Sequence, residues 1–286
     1  MTRFGNLFAR LHDQFGVWFS RMFIIALLSF LFFVALGGVS HNSKWQIFQI
    51  KVTGATTISS DTVRSLALEK ILGNYFLVYA RNNSFLFPIG EIEQSLLDLY
   101  PQIASVSVNR IDDHSIVINI SERKPYALWC GEEFSLIPRE LIDCWFIDNN
   151  GFIFDQAPVF SSGVYLEVYS KLIEKNEGEP LRAGVPYERF YAADSFVKLL
   201  REEVGEPLRV SLKPEGEAEV TLRTSAIYPF LAGVIVRFKD EEIPQTLVKT
   251  LRAAISREFP DNTALKKKLL YIDMRFGNKI FFGFEN

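Results

Sequence analysis

The sequence predicts an α+β protein tethered by a single N-terminal transmembrane helix, with two soluble units following it. Three observations lead there. An uncharged apolar run lies near the N-terminus, an order of strand, helix, helix, strand, strand follows it, and short alternating strands with a few flanking helices fill the rest. The chain of 286 residues is 48% hydrophobic and 14% aromatic, the composition of a folded protein with room for two ordinary domains. Its net charge of −3 leaves no electrostatic footprint for nucleic acid.

The apolar run extends from Met22 to Val39 without a charge. At about 1.5 Å per residue it spans roughly 27 Å, and Val17, Trp18 and Phe19 lengthen it towards a full hydrocarbon core. Arg21 can snorkel to the interface, and Trp18 and Trp45 flank the run at headgroup level. A cleaved signal peptide competes with this reading, since Ala35-Leu36-Gly37 offers small residues at a cleavage-like spacing. The length of the run, and of the segment before it, favours a retained helix over residues 17–40 behind a tail of residues 1–16. Arg3, Arg10 and Arg21 precede the helix against Asp13 alone, while Lys44 and Lys51 follow it. The positive-inside bias therefore puts the N-terminus in the cytoplasm and the bulk outside, as a single-pass type II membrane protein.

Residues 41–124 form the first soluble unit. Phe48-Gln49-Ile50-Lys51-Val52 alternates as a strand and stops at Gly54. Ser59 or Ser60 can cap a helix whose Val63, Leu66, Ala67 and Ile71 share a face, closed by Gly73-Asn74. An aromatic-rich loop without an assigned role, Tyr75 to Phe87, leads to Pro88 at a second helix start, with Ile92, Leu96 and Leu99 on its apolar face. A hairpin follows, Val106 and Val108 against Ile116, Ile118 and Ile120, turning at Asp112-Asp113-His114-Ser115. Two helices over one face of a three-stranded sheet is a sound layered solution for this βααββ order.

Residues 125–286 form the second unit, a mainly antiparallel sheet with flanking helices. Trp145–Asp148 and Phe152–Phe154 pair across Asn149-Asn150-Gly151, and Glu174–Gly184 reads as an exposed loop. Helices are expected over Tyr187–Val204 and Ile243–Phe259, the latter burying Leu247, Leu251 and Ile255. Strands are expected at Leu208–Leu212, Ala218–Arg223 and Val234–Phe238. Leu269–Phe276 and Lys279–Phe284 then close the chain as a hairpin around Gly277-Asn278. Cys130 and Cys144 lie in strand-like stretches that can pair, and an oxidising compartment would permit a bridge worth about 3 kcal/mol. Two buried free thiols remain the equal alternative.

The order of motifs resembles a known family. Phe48-x-Ile50-x-Val52-x-Gly54 and Val106-x-Val108-x-Arg110 within a βααββ unit resemble a POTRA domain. Ser121-Glu122-Arg123-Lys124-Pro125-Tyr126-Ala127-Leu128-Trp129 continues the pattern, then Phe146 to Phe154, then Tyr271-Ile272-Asp273-Met274-Arg275-Phe276. Behind one membrane helix this series is similar to the FtsQ/DivIB family of bitopic bacterial cell-division proteins. Pro180-Leu181-Arg182-Ala183-Gly184 only partly echoes the family's Leu-Pro-x-Leu-x-Gly stretch. The resemblance implies a retained anchor, a septal location in the cell (inner) membrane, and a divisome scaffold acting on septal peptidoglycan synthesis through its partners.

Catalysis finds no constellation. His12, His41 and His114 are too scattered to converge, no Gly-rich phosphate loop exists, and no Cys-x-x-Cys is present. The reading is therefore non-enzymatic, with no cofactor, no metal and no small-molecule substrate. The charges of Glu122-Arg123-Lys124-Pro125 are read first as a structural junction and second as a partner surface. The terminal hairpin offers the better site, because a last strand leaves unpaired backbone groups that template strand addition. Half of its aromatics should face the core by simple alternation. The resemblance implies that this edge takes a strand from the FtsB-like member of an FtsB–FtsL pair, with Tyr271, Asp273, Arg275, Phe276, Lys279 and Phe281 as contact residues and Phe276 leading. The competing class is a POTRA-bearing docking component of a transport or membrane-protein assembly system. It would bring tandem POTRA units or a strand-rich barrel, neither of which is visible.

Overall fold

Helix α1 covers Thr2–Ser40 in the computed structural model, which describes residues 2–135, 141–173, 180–260, 267–277 and 279–285. The stretch expected as a separate tail is thus helical from Thr2 and continuous with the apolar run. Trp18–Ser40, 23 residues, is long and apolar enough to cross a membrane. Its described side chains are exposed except at Gly37 and Ser40, as suits a helix that is apolar all round.

The chain divides into two compact units, Met1–Glu122 and Arg123–Asn286. Beyond α1 the first contains β1 (Gln49–Thr53), α2 (Ser60–Ile71), β2 (Asn74–Tyr75), β3 (Tyr79–Ala80), α3 (Ile89–Leu99), β4 (Ile103–Arg110) and β5 (Ser115–Glu122). The sheet order is β1-β5-β4, with β1 parallel and β4 antiparallel to the central strand. Ser59 caps α2 by accepting from the Asp61 N–H, and Pro88 opens α3, where its missing N–H is harmless. Both helices pack on one face: Val63, Ala67 and Ile71 of α2 and Ile92 and Leu96 of α3 meet Ile116, Ile118 and Ile120 of β5. Each such buried aliphatic side chain contributes about 1.5–3 kcal/mol. Leu99 departs from the expected face and is exposed; the chain leaves helical geometry at Tyr100 (φ −122°), and Leu97 and Tyr100 pack there instead. The loop after α2 also departs from expectation, because β2 and β3 pair within it.

The far end of this sheet closes on itself. Gly54 has φ +80°, and a Cβ there would lie 2.0 Å from the Ile120 carbonyl oxygen, so only glycine lets β1 leave this close to β5. Glu122, the last residue of β5, then accepts from the N–H groups of Thr56, Thr57 and Ile58 at 2.9–3.1 Å and from the Thr56 hydroxyl at 2.5 Å. Burial alone would raise this carboxyl, but the Thr56 hydroxyl and the three N–H groups outweigh it and hold the pKa at about 2.

The second unit contains β6 (Ala127–Trp129), β7 (Trp145–Ile147), β8 (Ile153–Gln156), β9 (Glu167–Tyr169), α4 (Tyr187–Glu203), β10 (Glu206–Leu212), β11 (Glu217–Thr224), β12 (Ile235–Lys239), α5 (Pro244–Glu258), β13 (Leu269–Phe276) and β14 (Lys279–Phe284). Among the described residues they form one nine-stranded sheet in the order β14-β13-β12-β11-β10-β9-β6-β7-β8. Most pairings are antiparallel; β12 with β13, β10 with β9 and β9 with β6 are parallel. The short buried strand β9 therefore joins the antiparallel block β12-β11-β10 to the antiparallel block β6-β7-β8. Helices α4 and α5 cover one face, where Phe190, Phe196, Leu200, Leu247, Leu251 and Ile255 close on Val220, Val236, Phe238 and Ile272. A disulfide joins Cys130 to Cys144 across the β6–β7 hairpin, and with Leu128 and Tyr169 it forms a small separate core. Of the loop expected over Glu174–Gly184, residues 174–179 lie outside the described residues, while Arg182–Gly184 bond to Ile153 and Ile173.

The junction motif is consumed locally. Arg123 bonds Asp148 at 2.5 Å and stacks on Phe152 at 4.1 Å, while Asp148 accepts the N–H groups of Asn150 and Phe152 and so shapes the turn before β8. Tyr126 donates to Asp194 of α4 at 2.5 Å, and the Trp129 indole donates to the Ser170 carbonyl at 3.0 Å.

The Glu122 clamp yields a pH-dependent expectation. Its folded pKa of about 2 lies below the ordinary 4.5, so its stabilisation is complete above pH 4.5 and is lost as pH falls through the folded value. Glu122→Gln should destabilise the first unit by about 1–3 kcal/mol at neutral pH. Melting curves of variant and wild type should converge between pH 4.5 and 2; a gap constant across that range would show that the charge does not hold the loop.

Candidate functional site

Sheet edges decide where another chain can add a strand, because a bare edge carries a row of unpaired N–H and C=O groups. In the first unit one backbone group on each edge strand is engaged by a side chain. The Glu93 carboxylate accepts the outward N–H of Val108 on β4 at 2.8 Å, and Arg64 Nε donates to the Ile50 carbonyl on β1 at 3.3 Å. In the second unit the β8 edge is covered, since Ile153 donates to Ala183 O and accepts from Arg182 N, each at 2.9 Å. At the opposite edge, β14 pairs with β13 and, among the described residues, no strand pairs with its outer side.

Alternation along β14 sorts its aromatics. Ile280 and Phe282 pack against the helix-covered core; Phe259 beyond α5 lies 5.3 Å from the Phe282 ring and 6.4 Å from that of Phe284. The opposite, helix-free face carries Lys279, Phe281 and Gly283. A Cβ on Gly283 would lie 2.2 Å from the Tyr271 ring, so this glycine gives Tyr271 room to lie across β14. The register shift between Asp273 and Phe276 turns Phe276 onto the same face, where it meets Phe281 edge to face at 5.4 Å. Phe276 is 57% and Phe281 49% exposed, so two aromatics stand in solvent beside the open edge.

The charged members of the motif are engaged within the sheet. Arg275 bonds Asp273 in bidentate fashion, at 2.9 Å through Nε and 2.6 Å through Nη2, and reaches Glu217 on β11 at 2.6 Å. Arg237 on β12 pairs with Glu219 at 2.9 Å and lies 4.5 Å from the centre of the Tyr271 ring. The Arg275 hydrogen bonds lower the Asp273 pKa despite its burial, and Asp273 in turn raises that of Arg275. These contacts tie β11, β12 and β13 together on the helix-free face and fix the bulge that presents Phe276.

The six residues singled out by sequence therefore share one hairpin but differ in role. Asp273, Arg275 and Tyr271 hold the register, while Phe276, Lys279 and Phe281 are available at the surface. Sequence reasoning missed Glu217, Glu219, Arg237 and Gly283. The alternating charges of Glu217-x-Glu219 facing Arg237 carried a signal, but the parallel register of β12 on β13 that brings them to Arg275 did not. Among the described residues no group of three His, Cys, Asp or Glu side chains could hold a metal ion.

Residues 46–123 match the family model of the POTRA domain, FtsQ-type. No curated protein matches the chain. The match spans β1 to β5 and lies directly behind the apolar helix, so the chain carries an FtsQ-type POTRA domain behind a helix long and apolar enough to be a membrane anchor, which is consistent with the FtsQ/DivIB type. The FtsQ-type domain supports a division-related role in protein interaction.

Separation of roles within the hairpin is testable by stability alone. Arg275→Gln strands the buried Asp273 carboxylate and Asp273→Asn strips Arg275 of its bidentate partner, leaving it Glu217; each should cost on the order of 2–3 kcal/mol in denaturant unfolding of the second unit. Phe276→Ala and Phe281→Ala should stay within about 1 kcal/mol of wild type. Equal losses for all four would place the exposed aromatics in the fold and not at the surface.

Proposed function

We propose that this protein is a division scaffold of the cell (inner) membrane, with a cytoplasmic N-terminus and both folded units outside, acting at the septum. Its open β14 edge receives a strand from another membrane-anchored division protein, the FtsB-like member of an FtsB–FtsL pair, and so recruits and regulates septal peptidoglycan synthesis. The observation that carries this reading is the β14 edge itself: among the described residues no strand pairs with its outer side, and Phe276 and Phe281 stand exposed beside it. Backbone pairing supplies affinity in such an arrangement, and alternate side chains supply selectivity. Exposed aromatics at the centre of a patch are the side chains on which interface energy concentrates.

Two further features support the placement. The disulfide between Cys130 and Cys144 is stable in an oxidising compartment, which agrees with the orientation set by Arg3, Arg10 and Arg21. Retention of the helix is supported by Gly37 and Ser40, which are buried against the POTRA domain and so belong to its fold.

Co-purification of the partner pair with the full chain tests the proposal. Phe276→Ala should weaken capture about tenfold or more, the loss of a central aromatic contact, and Phe281→Lys should do the same by placing a charge on the edge. Unchanged capture by both variants, with wild-type melting, would remove β14 as the docking edge. Depletion of the protein should give filamentous cells without completed septa; normal division with failed membrane-protein assembly would favour the transport reading.

A further inference from the structure

The hairpin β2–β3 sits against the last turns of α1. Its pairs are Asn74 with Ala80 and Tyr75 with Tyr79, and the Val78 N–H closes the turn on the Tyr75 carbonyl at 3.0 Å. The two central residues, Phe76 and Leu77, have φ of +49° and +64°. Tight hairpins require positive φ at this point and normally fill it with Asn-Gly or Asp-Gly, because a bulky side chain is strained there. Here the strained residues do not bury themselves in the protein: Phe76 is 82% and Leu77 92% exposed. A turn that forgoes its favoured residues to hold two large apolar groups in the open calls for an apolar environment around them.

Contacts with α1 identify that environment. The Ala80 N–H donates to Ser40 Oγ at 3.0 Å, and the Asn83 side chain donates to the Ser40 carbonyl at 2.9 Å. Val78 fills the notch left by Gly37, where an added Cβ would lie 1.9 Å from Val78 Cγ1. Tyr79 donates to the Phe33 carbonyl at 3.0 Å and meets the Phe33 ring at 4.9 Å. The segment from Val78 to Asn83 thus lies along α1 from Phe33 to Ser40, and the Val78 carbonyl meets His41 Nε2 at 3.0 Å just past the helix end. At 1.5 Å per residue, Gly37 is about 4.5 Å and Phe33 about 10 Å inside the end of the helix at Ser40. The neighbouring helix surface is Phe32, Phe33 and Leu36, all exposed and apolar.

We propose that the Phe76–Leu77 turn inserts into the outer leaflet of the bilayer that α1 crosses, giving the POTRA domain a second membrane contact. This rests on the reading of α1 as a membrane anchor. Lipid is the occupant because the exposed turn adjoins Val78 and Tyr79, which pack on the apolar end of α1 that meets the bilayer. Phe and Leu are also the side chains that interfacial segments bury there.

The full chain, reconstituted in vesicles of phosphatidylethanolamine and phosphatidylglycerol, tests this with an environment-sensitive fluorophore on a single introduced cysteine. The native pair is joined as a disulfide and does not react. Phe76→Cys and Leu77→Cys are compared with Leu31→Cys in α1 and with Thr57→Cys at the Glu122 end of the POTRA sheet. The turn labels should be quenched severalfold more than the Thr57 label by lipids bearing a nitroxide high on the acyl chain, and should resist aqueous iodide. Iodide-accessible turn labels beside a lipid-quenched Leu31 label would overturn the insertion while leaving the anchor intact. Turn labels shielded from both quenchers would assign the turn to protein contact and likewise overturn it. A Leu31 label untouched by lipid would remove the anchor reading, and the insertion with it.

Discussion

The second unit is organised by the need to satisfy or hide the backbone groups at the ends of a long sheet. A sheet that does not close into a barrel has two edges, each a potential template for unwanted pairing. Here one edge is covered from within the chain: Arg182, Ala183 and Gly184 return to pair with Phe152 and Ile153 at the start of β8 and with Ile173. In the POTRA domain two side chains, Glu93 and Arg64, each engage one backbone group of an edge strand. At the other edge of the larger sheet, no strand among the described residues pairs with the outer side of β14. The bidentate Arg275–Asp273 pair, extended to Glu217, gives this strand a rigid neighbour, because it fixes β13 to β11 across the intervening β12.

Much of the architecture was legible because the chain obeys local rules. The terminal hairpin ends and restarts where Gly277 permits a left-handed turn, and both its strands carry the expected limits. Pro88, Ser59 and Gly54 mark element ends for reasons that are independent of the rest of the molecule. What could not be read was the order of strands in the larger sheet. Strand β9 is three buried residues, Glu167, Val168 and Tyr169, without a periodic signal, yet it joins the two antiparallel blocks by pairing in parallel on both sides. Parallel pairing of distant segments leaves no turn signature, so neither β9 nor the meeting of β12 with β13 follows from spacing.

The same limit explains what spacing alone could not resolve in the candidate site. Motif residues were grouped because they adjoin in sequence, but burial and pairing separate them. Asp273 is 5% exposed and has a bidentate partner two residues away, which makes it costly to expose and poor as a recognition group. Phe276 differs because the bulge between it and Asp273 breaks strict alternation and brings it beside Phe281. Charge and aromatic residues in one short motif thus divide into a scaffold for the edge and the surface it offers.

Glycine and aromatic residues near α1 follow a parallel logic in the opposite sense. Gly37 was first read as part of a cleavage-like triplet within an apolar run, where small residues carry little information. Its neighbours in space give it a purpose, since Val78 occupies the volume a side chain would need and Ser40, one turn on, bonds the same segment. The loop whose aromatics had no assigned role is the partner that makes Gly37 and Ser40 the buried positions of the described helix. Natural sequences agree with local preference at most positions, so a local violation without internal benefit points outward. Phe76 and Leu77 are such a violation, strained in backbone and bare in side chain. Relief has to come from surroundings that the chain does not itself supply, and the nearest apolar medium is the one its own helix already requires.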